Sequence, residues 1–168
     1  MPTDAQLLRL AARVGRRLLG ARRRLATAES CTGGWIAKAL TDVAGSSQWF
    51  DGGYVTYSNA AKQRDLGVRT ATLARVGAVS PAAVREMARG ALRAARADVA
   101  VAVSGIAGPE GGSRAKPVGT VWFATAVRRG RAVKVSASRR HFRGDREAVR
   151  RKSVAQALKL VLARTPAR

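Results

Sequence analysis

The chain has 168 residues, about the size of one ordinary domain, and its 46% hydrophobic content excludes a disordered tail. Thirty-two Lys and Arg stand against ten Asp and Glu, a formal net charge of +22 that by itself points to a polyanionic partner. One cysteine and one histidine exclude a disulfide framework and a His/Cys metal cluster, and no apolar run reaches the roughly 18 residues of a membrane span.

In chain order, Thr3 and Gln6 have capping-box spacing ahead of Leu7, Ala11, Val14 and Leu18, an amphipathic helix ending near Gly20. Residues 25–28 read as a short buried strand, and residues 32–43 as a helix entered through a Cys-Thr-Gly-Gly turn. Residues 54–57 are β-prone. Lys62 falls one turn into a helix starting at Ser58 or Asn59. Ser80-Pro81 opens a long helix, with Ser as N-cap and Pro at the first helical position. The run Val-Ala-Val-Ala-Val at 99–103 is the clearest strand, followed at once by the glycine-rich 104–112. Residues 118–127 and 131–142 form a hairpin turned at Arg129-Gly130, and Gly144-Asp145 caps a last helix to about Ala163. Strands interleaved with helices and closed by a hairpin predict an α/β fold on a mixed sheet, as one domain over residues 1–168. The polar start, without a signal-peptide pattern, and the single cysteine lead to the expectation of a cytoplasmic protein.

The cationic excess is mainly arginine, 26 of 32, and coding bias produces such a skew as readily as selection for a ligand. The arginines are spread along the chain: Arg13, Arg16 and Arg17 in the first helix, then Arg22 to Arg24, then Arg128, Arg129 and Arg131 in the hairpin. In the long helix Arg85, Arg89, Arg93 and Arg96 share one arc of about 80°. Its apolar stripe lies elsewhere, so the row reads first as a solvated face. Nucleic-acid binding is possible but not favoured. The three Trp, two Tyr and three Phe do not alternate with basic residues as a stacking platform would, and no helix-turn-helix or zinc-finger pattern appears.

Chemistry is expected where loops leave strand ends. The turn at 28–35 offers Ser30, Cys31 and Thr32 with Gly33 and Gly34 at a helix start, potential nucleophiles beside free backbone N–H groups. Lys62 lies just beyond the next strand. Ser104, Gly105, Gly108 and Gly111 supply a backbone a ligand can approach closely. Arg143 and Arg146 stand at the start of the last helix and suit phosphate. The acidic residues Glu29, Asp42, Asp51, Glu110 and Asp145 are isolated and read as caps, turn formers or ion-pair partners, not as metal ligands.

The segments AESCTGGW, DVAGSSQWFDGGYVTYSNAAK, GAVS, SGIAGPEGGSRAKPVGTVWFA and FRGDREAVR together resemble the CinA C-terminal domain family over roughly residues 5–163. The resemblance implies a three-layer α/β/α sandwich on a mixed sheet. It also implies hydrolysis of the carboxamide of nicotinamide mononucleotide to nicotinate mononucleotide and ammonia. The family is described as using a Ser/Lys dyad; carried to the matching motifs, this makes Ser30 the nucleophile and Lys62 the base, and no cofactor or metal is expected. Tyr57 joins them as a catalytic carry-over, with Thr32, Gly33, Asn59, Ser104, Gly105 and Arg146 as substrate or oxyanion contacts. Ser46 and Ser47 lie in a matching segment and remain rival nucleophiles. A homo-oligomer is expected. The alternatives are a basic nucleic-acid or polyanion-binding module, or an inactive relative serving as an interaction protein. The chain departs from the family in its charge.

The residues admit this mechanism on independent grounds. A serine hydroxyl attacks only when a base takes its proton, and a lysine serves as that base only as the neutral amine. Bringing an ordinary lysine from about 10.4 to about 7–8 takes on the order of 4 kcal/mol from desolvation and nearby positive charge. Burial against the strand end and a nearby Arg would both act in that direction. Cys31 is a competing nucleophile without an evident histidine partner.

Overall fold

A computed structural model describes residues 1–165. Its organising element is the strand whose sequence alternates valine and alanine. Successive side chains of a strand point to opposite faces, so Val99, Val101 and Val103 line one side of the sheet while Ala100 and Ala102 line the other. In chain order the elements are α1 (Asp4–Gly20), β1 (Leu25–Glu29), α2 (Trp35–Thr41), β2 (Phe50–Val55), α3 (Asn59–Leu66), α4 (Thr70–Val76), α5 (Pro81–Ala94), β3 (Val99–Gly105), β4 (Thr120–Arg129), β5 (Ala132–His141) and α6 (Arg146–Arg164). A single 3₁₀ turn, Ser46–Gln48, leads into β2.

The sheet order is β2-β1-β3-β4-β5. β1 is parallel to β2 and β3, and β4 is antiparallel to β3 and β5. The sheet is therefore mixed. On its valine face α1, α2 and α6 bury Leu7, Val14, Leu18, Ile36, Val154 and Leu158 against Leu25, Val121 and Phe123. On its alanine face α3, α4 and α5 pack Leu66, Leu73, Val84, Met87 and Leu92 against Ala26, Ala28, Ala124 and Ala126. Helices on both faces make the three-layer α/β/α sandwich. The small alanines let α5 lie close, and Gly90 continues this: a Cβ there would sit 2.1 Å from the Leu66 carbonyl, so α3, which carries Lys62, rests directly on α5.

The expected capping box at Thr3 and Gln6 forms, and Ser80 and Pro81 open α5 as their types require. Several boundaries differ from expectation, among them the end of α5, which at Ala94 leaves Arg96 outside the helical row of Arg85, Arg89 and Arg93. The helix expected from residue 32 begins only at Trp35, because Gly33 and Gly34 take positive φ (61° and 93°). The strand expected at 54–57 is Phe50–Val55, since the chain leaves the sheet after Val55 and Ser58 caps α3. The short α4, lacking a side-chain cap, had no start signal to reveal it.

Candidate active site

All three parallel strands end on one side of the molecule, and β1 delivers Glu29 and Ser30 there. The Ser30 N–H donates to the Val103 carbonyl of β3, and the Thr56 N–H donates to the Glu29 carbonyl, so neighbouring strands hold the Ser30 turn from both sides. α3 then points Lys62 back at this turn from one helical turn inside. The Lys62 side chain is 1% exposed. Its Nζ lies 3.0 Å from Ser30 Oγ, 2.8 Å from the Thr56 carbonyl and 2.9 Å from the Tyr57 carbonyl. A neutral amine has two N–H groups and one lone pair. The two carbonyls can only accept, so they take both N–H groups, and the lone pair is left to the Ser30 hydroxyl. Burial pushes the Lys62 amine below its ordinary pKa of 10.5, while the Cys31 side chain acts in the opposite sense. The expected help from a neighbouring guanidinium is not among the causes.

The turn itself is clamped by opposite charges. Glu29 is fully buried and accepts the Thr32 hydroxyl at 2.6 Å and the N–H groups of Gly34, Ile36 and Ala37 at 3.1, 3.0 and 2.8 Å. It thus caps α2 from the preceding strand, which is why Gly34 caps with no side chain of its own. From α6, Arg150 donates to the Cys31 and Thr32 carbonyls at 3.1 and 2.9 Å and stacks on Trp35, whose other cationic neighbour is Arg151. Sequence reasoning read Glu29 only as a generic cap or turn former and did not single out Arg150. The signal that could have found Glu29 is an acid at the end of a strand that carries no other charge, directly before a helix start.

The other expected residues divide. Tyr57 contributes its carbonyl to Lys62, while its exposed phenol lies 3.3 Å from an Arg146 nitrogen. Arg146 also donates to the Gly108 carbonyl at 2.7 Å, which joins the start of α6 to the glycine-rich loop. Ser104 is buried at the end of β3, and a Cβ on Gly105 would meet Val121 Cγ2 at 2.7 Å, so that glycine permits β4 to pair there. Gly33 holds its turn next to Arg150. Asn59 is exposed at the first turn of α3.

Placement narrows one expectation to the backbone and corrects another. Thr32 is fully buried with its hydroxyl committed to Glu29, so its side chain positions the turn and is not open to a substrate. Ser46 and Ser47 lie before β2, beside Trp49, whose carbonyl accepts the Leu25 N–H. That is the opposite end of β1 from Ser30, about 16 Å away at the rise of an extended strand, and the fold does not bring them to Lys62. Cys31 is adjacent to Ser30, but burial pushes its thiol up to about 12, so it stays protonated and a poor nucleophile at neutral pH. Among the described residues no group of three or more His, Cys, Asp and Glu is placed to hold a metal, and no helix is long and apolar enough to cross a membrane.

Fold and site together define an α/β/α sandwich with a serine hydroxyl set against a buried lysine amine at its parallel strand ends. The CinA C-terminal domain model matches residues 7–165, and the chain belongs to that family. It is 58% identical over 156 residues to the nicotinamide-nucleotide amidohydrolase PncC of Escherichia coli (strain K12), covering 93% of each chain. It is 57% identical to the protein of the same name from Pseudomonas putida, over 89% of this chain and 91% of that one. Among solved structures, the competence/damage inducible protein CihA of Agrobacterium tumefaciens superposes with a TM-score of 0.88 at 47% identity, covering 97% of this chain and 96% of that one.

Proposed function

We propose that this protein hydrolyses the carboxamide of nicotinamide mononucleotide, releasing ammonia and nicotinate mononucleotide, with Ser30 as nucleophile and Lys62 as base. The observation that carries the reading is the buried Lys62 Nζ 3.0 Å from Ser30 Oγ, with carbonyl acceptors already on its other side. Identity of 58% to an amidohydrolase of this name supports the substrate.

In this reading Lys62 takes the Ser30 proton as Oγ bonds to the carboxamide carbon. The resulting ammonium gives a proton to the departing nitrogen, which leaves as ammonia and an ester on Ser30. Lys62, neutral again, takes a proton from water as it attacks the ester, and returns it to Ser30 Oγ as the acid departs. The N–H groups of Cys31 and Thr32 have no hydrogen-bond partner among the described residues and are the turn's available oxyanion donors; each such donor is typically worth about 2.7–4 kcal/mol. Ile106, in the other turn considered, spends its N–H on the Thr120 carbonyl. Arg146, shared between Gly108 and Tyr57, is suited to the substrate phosphate.

The test is ammonia release from nicotinamide mononucleotide by the purified protein, with free nicotinamide as control. Turnover is expected on the nucleotide alone and unchanged after exhaustive chelation. Loss on chelation, restored by a divalent ion, would replace the Ser30–Lys62 assignment with a metal mechanism. A cytoplasmic setting fits this reading, since a phosphorylated substrate does not cross a membrane unaided.

A further inference from the structure

At the opposite end of the sheet from Ser30, three turns bring together arginines far apart in sequence. α1 leads into β1 through Arg22 and Arg23, α5 leads into β3 through Arg96, and β4 turns into β5 through Arg128, Arg129 and Arg131. β1, β3, β4 and β5 are neighbours in that order, so the turns lie within three strand spacings, about 15 Å. Backbone bonds join them: the Arg24 carbonyl accepts from Asp98 and Val99, and the Arg128 N–H donates to the Asp98 carbonyl. The two acids of these turns and the adjoining start of β2 both engage Arg24, Asp51 through its guanidinium and Asp98 through its N–H. The other six guanidinium groups have no hydrogen-bond or ion-pair partner among the described residues.

A second, independent observation concerns the backbone. Arg22 and Arg96 have φ of 51° and 49° and are the two non-glycine residues of positive φ among those described. Each follows a helix, in the left-handed conformation that glycine adopts freely and other residues do not. After α3 it is a glycine, Gly67, that takes this conformation, at the cap itself and one residue nearer the helix. A uniform excess of arginine explains neither the convergence on one pole nor arginine in two positions where glycine is the unstrained choice. Residues held in such backbone conformations cluster at functional sites.

We propose that this pole docks the phosphate backbone of duplex nucleic acid, without regard to base sequence. Guanidinium groups bind phosphate in a forked geometry. A 15 Å length of duplex carries about nine phosphates, enough to engage all six arginines at once. A single strand would need exposed aromatic rings to stack on. The exposed aromatic ring among the large hydrophobic side chains is Tyr57, at the catalytic end. Nucleic acid at the pole therefore leaves the catalytic turn open.

The experiment is fluorescence anisotropy with a labelled 24-base-pair duplex of arbitrary sequence, titrated with the full chain between 50 and 200 mM salt. Six neutralised phosphates give a log–log salt slope of about −5, hence about 10³-fold weaker binding across that range. The variant Arg22→Gly/Arg96→Gly/Arg129→Gln is expected to lower the slope magnitude by about 3 and weaken binding at 50 mM more than tenfold. Its melting temperature and nucleotide turnover are expected to match the parent, so loss of binding is not loss of fold. Undetectable duplex binding at 50 mM salt, or an unchanged slope in the variant, overturns the proposal. Tighter binding to the same sequence as a single strand, or to phosphatidylglycerol vesicles, overturns the duplex as partner.

Discussion

The two ends of one sheet use charge in opposite ways. At the carboxyl end of the parallel strands the Ser30 turn is held by three ionisable groups, of which Lys62 and Glu29 are buried and Arg150 is half-buried. Lys62 meets two carbonyls and Ser30, Glu29 meets a hydroxyl and three N–H groups, and Arg150 meets two carbonyls. At the amino end Arg22, Arg96, Arg129 and Arg131 are exposed, and the arginines other than Arg24 have no side-chain partner among the described residues. Enclosure lets a single amine shift its proton affinity, because desolvation acts on it without screening. In solvent each charge is screened beyond about 8–10 Å, and only number and proximity raise the local potential. The comparison predicts that single substitutions are severe at the first end and mild at the second.

The largest effect is expected at the dyad. Ser30→Ala removes the attacking oxygen, and Lys62→Met removes the base with little change of bulk. Each is expected to lower turnover by about 10⁴-fold, with the double variant little worse than either, since groups acting as a unit are not additive. Lys62→Arg fails equally, because a guanidinium cannot become the neutral base. Single-turnover ammonia release is the measurement. Near-normal turnover in Ser30→Ala removes Ser30 as nucleophile, and an active Lys62→Arg makes Lys62 a fixed charge instead of a proton carrier.

Taken singly, Ser30 reads as a helix cap and Lys62 as a surface lysine; they are paired in the sequence only through the matching motifs AESCTGGW and SNAAK. The alternation at 99–103 and the caps at Thr3 and Ser80 are local signals, and local signals survive folding. What was not legible is what the sheet assembles. Nothing near Arg150 in sequence shows that its guanidinium crosses to the Cys31 and Thr32 carbonyls. Nothing near Ser46 shows that register puts it at the wrong end of β1. The pole is the same case: Arg22, Arg96 and Arg129 read as dispersed because strand order, a long-range property, is what gathers them.

Glu29 offers the next largest effect, now on stability. Glu29→Ala leaves a hydroxyl and three N–H groups of the α2 start without their acceptor inside the protein. At about 1–3 kcal/mol for each buried group left unpaired, with partial relaxation, a loss of at least about 3 kcal/mol is expected. For a chain of this size that lowers the melting temperature by roughly 6–12 °C. Glu29→Gln retains one oxygen and is expected to lose less. A thermal melt of both variants checks this. Equal melting of Glu29→Ala and the parent would mean that the turn does not depend on its buried carboxylate.

The Lys62 amine gives a smaller effect with a defined sign. Its folded-state pKa lies below the unfolded value of 10.5 because of burial. Between those two values the unfolded chain binds more protons than the folded one, so stability rises with pH. Relative to Lys62→Met, which has no proton to exchange there, the parent should gain stability as pH climbs through that window and stop gaining above 10.5. Under the proposed mechanism turnover requires the neutral amine and is expected to rise over the lower part of the same window. Denaturant titrations at several pH values give the first trend and initial rates the second. A parent that loses stability relative to Lys62→Met as pH increases would mean that Lys62 is held charged.

The smallest effect is expected at Arg22 and Arg96. The left-handed backbone costs a non-glycine residue about 1–2 kcal/mol, which Arg22→Gly or Arg96→Gly relieves. Glycine also gains freedom in the unfolded chain, which costs about 0.5–1 kcal/mol in the opposite direction. The two terms nearly cancel, and each variant should lie within about 0.5–1 kcal/mol of the parent, on the stabilised side. Arg22→Val carries no charge either, but a β-branched side chain suffers most at positive φ, so it should be clearly less stable than Arg22→Gly. Denaturant midpoints distinguish two accounts of the pole. If glycine is neutral and valine harmful, the backbone sets the cost and the guanidinium adds nothing to folding, consistent with a charge directed outward. If both lose stability alike, the Arg22 side chain supports the fold, and the two ends of the sheet are less different than their geometry implies.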